Sequence, residues 1–453
     1  MSTVLWSTLA FLVTLGILIT VHEFGHFWVA RRMGVKVLRF SIGFGKPLWA
    51  RRGKDGTEYT VAMLPLGGYV RMLDEREGAV PEAELLQAFN RQPLAARSAI
   101  ILAGPLFNFA FAILAYWLMF VVGVSGVRPL IGEVLEPSIA QQAGLQAGDE
   151  VIAVAGDPTP TWSTVQLALL DKALDRERIV LTAQGRDGRQ RVHELDMRAV
   201  SEPDRGDLLG QLGVRPMRPQ VPALLGRVLP EGAAARAGLQ VGDRLLRADD
   251  LALTDWDVWA GYVRSHADTP IQLVLERQGV SLQVVVTPEA KPSPDGIIGR
   301  IEAGPEPLQS LPPELRAEQR YGVLEGLVKA VRHTGEMSLL TLRLLGKMVV
   351  GQASLENISG PIGIAQYAGY SASDGFTSFL RFLALVSVSL GVLNLLPVPI
   401  LDGGHLMYHL AEAVKGSPVS PKAQYIGQQL GIALLLGLTV LAFYNDLTRL
   451  FGL

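Results

Sequence analysis

The first residues of the chain, MSTVLWSTLAFLVTLGILITVHEFGHFWVA over 1–30, decide its fold. Residues 1–21 contain no Asp, Glu, Lys or Arg, and apolar residues continue after His22 and Glu23. Because about 20 apolar residues cross the roughly 30 Å of hydrocarbon in a bilayer, we predict a membrane-spanning helix here. A cleaved signal peptide would need a basic segment before its apolar run, and no Lys or Arg precedes Arg31.

Three further charge-free runs are long enough to span a membrane, at 98–127, 382–401 and 423–445. Composition agrees, because 49% of the residues are hydrophobic and only 19% are charged, against about 25% charged in soluble domains. The net charge of −2 gives no reason to expect a nucleic-acid partner. We therefore predict a polytopic α-helical membrane protein with four transmembrane helices in a lipid bilayer.

Basic residues follow the first predicted helix closely, and such residues mark the cytoplasmic side of a membrane protein. They are Arg31, Arg32, Lys36, Arg39, Lys46, Arg51, Arg52 and Lys54. With four crossings, both termini and the long 128–381 segment then lie on the outer side. The sequence predicts a multi-pass protein with this orientation.

The outer segment contains an internal repeat. Residues 132–162 and 226–256 match at an offset of 94 residues without a gap, and both contain A-G-L-Q-x-G-D before an apolar strand. That motif resembles the PDZ domain, and the period is too long for a solenoid unit. We predict two tandem β-rich PDZ-like domains, at 128–219 and 220–309, which either bind peptides or act as a size filter.

The segment 310–375 is predicted to be amphipathic. Within Tyr321–Gly351, six charged residues fall on one face of a continuous helix, and the rest is largely apolar. Such a helix would lie on the outer membrane interface or against the transmembrane bundle, with Gly335 as a candidate break. An ordinary helix that caps a soluble domain is the alternative.

The cytoplasmic stretch EYTVAMLPLGGYVRML, at 58–73, is unusually apolar. Two strand-like runs flank Pro65 and the pair Gly67 and Gly68, which predicts a β-hairpin. Backbone outside a helix is tolerated at membrane depth only where protein or a wet cavity covers it. We therefore predict a membrane-associated, re-entrant hairpin beside the bundle.

The stretch His22-Glu23-Phe24-Gly25-His26 carries the chemistry. The chain has no cysteine, so any metal must be held by His, Asp or Glu. Histidines at i and i+4 share one helical face and can bind one zinc ion, and Glu23 beside them can take a proton from water at the metal. An ionisable cluster inside a membrane helix is costly, which favours a functional site.

A catalytic zinc needs a third protein ligand. Asp402 is expected to end the third membrane helix at the depth of His22, within NLLPVPILDGG at 394–404, where two prolines and two glycines interrupt the helix. His405 and His409 are rival ligands, and His405 suits a packing or supporting role better. Three other histidines are predicted on the outer side: His193, His266 and His333.

These motifs together resemble the site-2 protease family of intramembrane zinc metalloproteases, peptidase family M50B. HEFGH at 22–26 and NxxPxPxLDGG at 394–404 are the residues that carry the resemblance, and it covers essentially the whole chain. The helices are expected in 1–127 and 376–453.

The resemblance implies cleavage within transmembrane segments of single-pass proteins in the bacterial inner membrane, with the PDZ pair in the periplasm as a filter. Its implied substrates are anti-sigma factors in the envelope stress response and remnant signal peptides. The implied metal ligands are His22, His26 and Asp402, with Glu23 as catalytic base.

Substrate contacts are expected beside the metal. The 58–73 hairpin would add the unwound substrate as a strand, with Gly67, Gly68 and Tyr69 at the contact. The resemblance implies that Asn394, Pro397 and Pro399 also bind substrate. Helix–helix contact is the alternative role of Asn394.

Two other functions remain open from the sequence. A membrane scaffold would use the PDZ-like domains to recruit partners, with HEFGH incidental. A metal transporter would use the same histidines and Asp402, but it leaves the tandem domains unexplained.

Overall fold

The structure is a computed structural model of the chain, and it describes residues 3–174, 177–200, 207–293, 296–306 and 311–451. The first elements are α1 (Thr3–Arg32), β1 (Val37–Arg52), β2 (Glu58–Met72) and α2 (Leu94–Val122). Two short 3-10 turns, Glu82–Gln87 and Phe89–Arg91, precede α2. The HEFGH stretch lies inside α1, as predicted, and α1 continues to two arginines that mark its end.

The predicted hairpin at 58–73 is wrong in its pairing. β2 is one irregular strand whose halves do not pair with each other, because both flank the first half of β1. Phe40 has Val70 on one side and Tyr59 on the other, and the second half of β1 returns to pair Arg51 with Tyr59.

Two glycines in β1 allow this arrangement. Gly43 and Gly45 have φ of 95° and 88°, values that L side chains rarely adopt, and they let β1 turn back on itself. A sequence pattern within 58–73 alone could not show that a preceding strand inserts between its halves.

The first of the two repeated units, called the first outer unit after its predicted position, follows the end of α2. Its elements are β3 (Val124–Val127), β4 (Ile131–Val134), α3 (Ile139–Gln142), β5 (Glu150–Val154), β6 (Asp157–Pro158), α4 (Trp162–Ala173), β7 (Arg178–Gln184), β8 (Gln190–Asp196), α5 (Leu208–Leu212) and β9 (Val214–Pro216). The predicted membrane run to residue 127 is therefore too long. Gly123, with φ of 104°, ends α2, and β3 begins directly after it.

The second outer unit has the same plan. Its elements are β10 (Leu225–Val228), α6 (Ala233–Arg236), β11 (Arg244–Ala248), β12 (Leu251–Ala252), α7 (Trp256–Ser265), β13 (Ile271–Arg277), β14 (Val280–Val286), β15 (Glu289–Ser293), β16 (Gly296–Arg300) and β17 (Ala303–Pro305). The sheets β6-β5-β7-β8 and β12-β11-β13-β14 have the same strand order. The repeat in the sequence is thus a repeat in structure, and each unit has its own apolar core.

The remaining elements follow the second outer unit in the chain. They are β18 (Arg316–Gln319), α8 (Val323–Val349), α9 (Pro361–Ser373), α10 (Phe376–Asn394), α11 (Asp402–Lys415) and α12 (Pro421–Phe451). β18 pairs with β3, so the entry and exit of the outer units are joined. The predicted boundary at 309–310 lies outside the described residues.

The predicted amphipathic helix is present as α8 and is continuous through Gly335. Its apolar face packs against α2, where Ala330, Met337 and Leu340 join one buried cluster. Its charged face contacts the first outer unit through the ion pairs Arg332–Asp157 and Arg343–Asp171, at 2.7 and 2.8 Å.

Four helices in the described part of the chain are long and apolar enough to cross a membrane: α1, α2, α10 and α12. The predicted third span, 382–401, was misplaced, because α10 ends at Asn394 and Asp402 begins α11 instead. Pro397 and Pro399 explain the break, since proline lacks the donor that a helix interior needs.

Candidate metal centre

Three side chains from separate parts of the chain converge at one point. His22 and His26 come from adjacent turns of α1, and Asp402 comes from the first residue of α11. The His22 and His26 Nε2 atoms are 3.2 Å apart, and Asp402 Oδ2 lies 3.3 Å and 3.6 Å from them, respectively. Among the described residues, these three form the group able to hold a metal ion.

The donor set fits a zinc ion. Zinc–ligand distances of about 2.0–2.1 Å in a tetrahedron put the ligand atoms about 3.3 Å from one another, close to the three distances here. Asp402 Oδ2 is buried and has no hydrogen-bond partner among the described residues, which is costly unless a cation neutralises it. Two imidazoles and a carboxylate leave a fourth position open, as in catalytic zinc sites.

The Nδ1 atoms of both histidines contact α2. His26 Nδ1 donates to the Ile100 carbonyl oxygen at 2.8 Å, which leaves its Nε2 free to bind a metal. His22 Nδ1 lies 3.2 Å from the Asn108 amide. The contacting amide atom is Nδ2, a donor. Metal binding through His22 Nε2 requires a proton on Nδ1, so the Asn108 amide would have to turn over and present Oδ1, which has no partner in its present orientation.

Close packing of α1 on α2 brings these partners into reach. A Cβ at Gly25 would lie 2.5 Å from the Ala103 carbonyl oxygen. A Cβ at Gly104 would lie 2.3 Å from His26 Nε2 and 2.7 Å from His22 Cε1. Small residues let membrane helices approach closely, and here they also make room for the two imidazole rings.

Glu23 faces β2 beside the two histidines. A Cβ at Gly68 would lie 2.8 Å from Glu23 Cγ and 2.8 Å from Ile19 Cγ2. Only a glycine therefore fits at this point of β2, and the backbone of the strand passes directly against the glutamate. The structure thus brings Gly68 to the metal centre.

The neighbouring predicted residues lie further along the same strand. Phe44 of β1 covers Gly67, whose Cβ would lie 2.3 Å from the Phe44 ring. Tyr69 stacks on the same ring, with centroids 6.1 Å apart, and its hydroxyl accepts a hydrogen bond from Arg39 at 3.1 Å. These contacts hold the strand segment in place.

The predicted residues before Asp402 occupy the junction between α10 and α11. Asn394 is the last residue of α10 and is half-buried, and Pro397 is exposed in the loop that follows. Pro399 packs against Gly404 and Gly427, where added Cβ atoms would lie 2.5 and 3.4 Å away, respectively.

The rival ligands are not part of the metal group. His405 lies one turn after Asp402 and packs near Tyr408, with ring centroids 6.3 Å apart. His409 Nδ1 lies 3.0 Å from Ser98 Oγ of α2, so it takes part in a contact between helices. The expectation that His405 is not a ligand agrees with this geometry.

Sequence reasoning missed the residues of α2 that support the centre. Gly104 and Asn108 lie one turn apart in an otherwise apolar run, and Asn108 is fully buried. A polar side chain in a membrane helix is a signal for function or helix contact, so Asn108 could have been found. No sequence feature connected Gly104 to the histidines.

Comparison with known proteins shows the family of the chain. The model of peptidase family M50 matches residues 10–438. The regulator of sigma-E protease RseP of Escherichia coli strain K12 is 47% identical over 448 residues, which is 98% of this chain and 99% of that protein. The regulator of sigma E protease of Salmonella typhi is 46% identical over 454 residues, or 99% and 100%. That of Haemophilus influenzae is 41% identical over 448 residues, or 98% and 99%.

Both the family match and these relatives span nearly the whole chain, including the HEFGH helix and Asp402. The resemblance inferred from the motifs is therefore confirmed. The chain belongs to peptidase family M50, and the prediction that it is a membrane metalloprotease is confirmed.

Proposed function

We propose that this protein is an intramembrane zinc metalloprotease that hydrolyses peptide bonds within transmembrane segments of single-pass membrane proteins. Its proposed substrates are an anti-sigma factor, released in the envelope stress response, and remnant signal peptides. The observation that carries the proposal is the convergence of His22, His26 and Asp402 beside Glu23. The name of the relatives, regulator of sigma-E protease, supports an anti-sigma factor as substrate.

The three ligands would hold zinc, which when bound lowers the pKa of water and polarises a carbonyl oxygen. Glu23 stands beside the ligands on α1 and would take the proton from the attacking water. The same carboxyl group would then give the proton to the leaving amine. The Nδ1 atoms of His26 and His22 contact α2, so their Nε2 atoms would be the ones that hold the metal.

A helical substrate hides its carbonyl groups in hydrogen bonds, so it must be unwound before cleavage. The segment 68–70 of β2 pairs with 40–42 of β1 on one side, and its other edge has no backbone partner among the described residues. Gly68 at this edge lies against Glu23. The substrate would add as a strand here, which holds it extended beside the metal.

The residues Asn394, Pro397 and Pro399 would form the opposite side of the substrate groove. The broken helix before Asp402 supports this role, because irregular backbone at membrane depth commonly lines a site. Asn394 at the end of α10 would hydrogen-bond to the substrate backbone, and the prolines would shape the groove. Gly67 and Tyr69 would complete the strand on the other side.

The two outer units would be PDZ domains, at 128–219 and 220–309, followed by an interfacial segment at 310–375. The matching strand orders support the tandem assignment. The basic residues that follow α1 favour the cytoplasmic side of the inner membrane. With four crossings, both termini and the two PDZ domains would then lie on the periplasmic side. There they would act as a size filter rather than as peptide binders.

The test is cleavage of a model transmembrane segment by purified full-length protein in lipid vesicles. Glu23→Gln should lower the rate by about 10²–10⁴-fold, the range for loss of a general base. Zinc content should stay at the wild-type level, because Glu23 is not a ligand. Glu325→Gln, an exposed change in the first turn of α8, is the matched control and should cleave normally.

Undiminished cleavage by Glu23→Gln protein would sink the proposed mechanism. Absence of cleavage by the wild-type protein, with outer units that still recruit membrane proteins, would instead favour a scaffold. Zinc flux into the vesicles without cleavage would favour a transporter.

A further inference from the structure

The helix that carries Asp402 is attached to the bundle at few points. Only Gly403 and Gly404 of α11 are buried, and the helix packs mainly against α2. Asp402 itself begins α11, and Leu401 before it provides no side-chain cap. The position of the third metal ligand therefore depends on how α11 is held.

Two polar contacts hold the second half of α11 against the start of α2. Arg97 donates to both Glu412 carboxylate oxygens, at 2.5 and 3.3 Å. The two side chains are only 15% and 17% exposed, so water screens this pair weakly. One turn earlier, His409 Nδ1 lies 3.0 Å from Ser98 Oγ.

These contacts lie on the same face of α11 as the metal ligand. At 100° per residue, positions 402, 409 and 412 fall within about 80° of one another. Arg97 and Ser98 are also adjacent in α2, the helix that binds both histidines through Ile100 and Asn108. The helix α2 thus contacts both histidines and the helix that carries Asp402.

We infer that the Arg97–Glu412 ion pair and the Ser98–His409 hydrogen bond fix the rotation of α11 and so position Asp402 at the metal. This inference rests on the proposed function. All four side chains are positioning residues, because they act on the metal through Asp402.

The geometry makes such an effect large. A carboxylate oxygen lies about 5 Å from the axis of its helix, so a rotation of about 10° moves it by about 0.9 Å. Functional groups must be held within about 0.5 Å of their productive positions. Hydrogen bonds to Arg97 also hold the pKa of Glu412 below its ordinary value, so the pair is charged at neutral pH.

The experiment measures zinc affinity by competition with a chelator, and cleavage as a function of free zinc, in purified full-length protein. Glu412→Gln should weaken zinc binding about tenfold and lower kcat, with little change in the KM for the substrate. The double variant Arg97→Glu with Glu412→Arg restores an ion pair and should recover most of the affinity. Glu150→Gln is the control, because it breaks a similar ion pair with Arg128 in the first outer unit.

Wild-type zinc affinity and kcat in Glu412→Gln would overturn the inference and leave the proposed function intact. If Glu412→Gln fails to fold, the double variant decides, because a folded double variant with weak zinc binding also overturns the inference. Failure of the wild-type protein to bind zinc or to cleave would instead overturn the proposed function.

Discussion

Gly104→Ala should damage the metal centre without touching a ligand. The added Cβ would lie 2.3 Å from His26 Nε2, 2.6 Å from His26 Cε1 and 2.7 Å from His22 Cε1. An ordinary Cβ contact begins at 3.4 Å, so the His26 ring must retreat by about 1 Å. The backbone cannot yield instead, because Gly25 and Ala103 already bring α1 and α2 into close contact.

The size of the effect follows from this displacement. A shift of about 1 Å in a reacting group can cost about 10²-fold in rate. Zinc affinity should fall by about 10–100-fold, the range for damage to the groups that orient metal ligands. Excess zinc should restore only part of the cleavage, because the His26 ring stays displaced after the metal has bound.

Chelator competition and the cleavage assay in vesicles measure both losses. Gly437→Ala in α12 is the matched control, because no atom outside its own stretch of helix backbone lies within 4 Å of its Cβ position among the described residues. It should retain wild-type zinc binding and cleavage. If Gly104→Ala protein binds zinc as tightly as this control, the assignment of His22 and His26 as ligands through Nε2 is refuted.

Three further changes test other contacts. Asn108→Ala removes the acceptor for His22 and should weaken zinc binding about 10–100-fold by chelator competition; wild-type affinity would contradict the role of Asn108. Asp446→Ala removes the carboxylate that accepts hydrogen bonds from backbone N–H groups at the start of α9. The loss of these bonds should cost about 1–3 kcal/mol of local stability and so speed hydrogen exchange at 360–363. Unchanged exchange there would exclude this capping. Burial would raise the pKa of Asp243, but hydrogen bonds, chiefly from Arg277, outweigh it and hold the pKa below its ordinary value. The carboxylate therefore stabilises the second outer unit above the unfolded pKa of about 3.9, and this stability is lost as pH falls through the lower folded pKa. The difference in hydrogen-exchange protection between wild type and Asp243→Asn should be full at pH 6 and should shrink below about pH 4. A difference below pH 4 as large as that at pH 6 would refute the assignment.

Much of the fold could be predicted because the bilayer imposes long, charge-free helices. The four spans and the α8 helix follow from runs of residue type, and the repeat follows from matching residues at a fixed offset. The ends of the spans could not be predicted in the same way. A run without charges does not show that Gly123 ends α2 or that Pro397 and Pro399 end the third span early.

In the candidate site, too, the residues with a local sequence pattern could be predicted and those that depend on tertiary contacts could not. His22 and His26 are four residues apart, so their spacing alone predicts a shared helical face with Glu23 beside it. Asp402 is distant in sequence, and its approach to α1 depended on counting membrane crossings. The supporting residues Gly104 and Asn108 depend on the contact between two helices, and strand pairing in 58–73 depends on β1, so neither could be derived from a local pattern.

Anomalous X-ray scattering at the zinc edge from crystals of the full-length protein would test the central claim most directly. We expect one zinc peak per chain within about 2.0–2.2 Å of His22 Nε2, His26 Nε2 and a carboxylate oxygen of Asp402. A zinc-loaded protein with no peak between these three residues, or with its peak on His405 or His409 instead, would contradict the proposed metal centre.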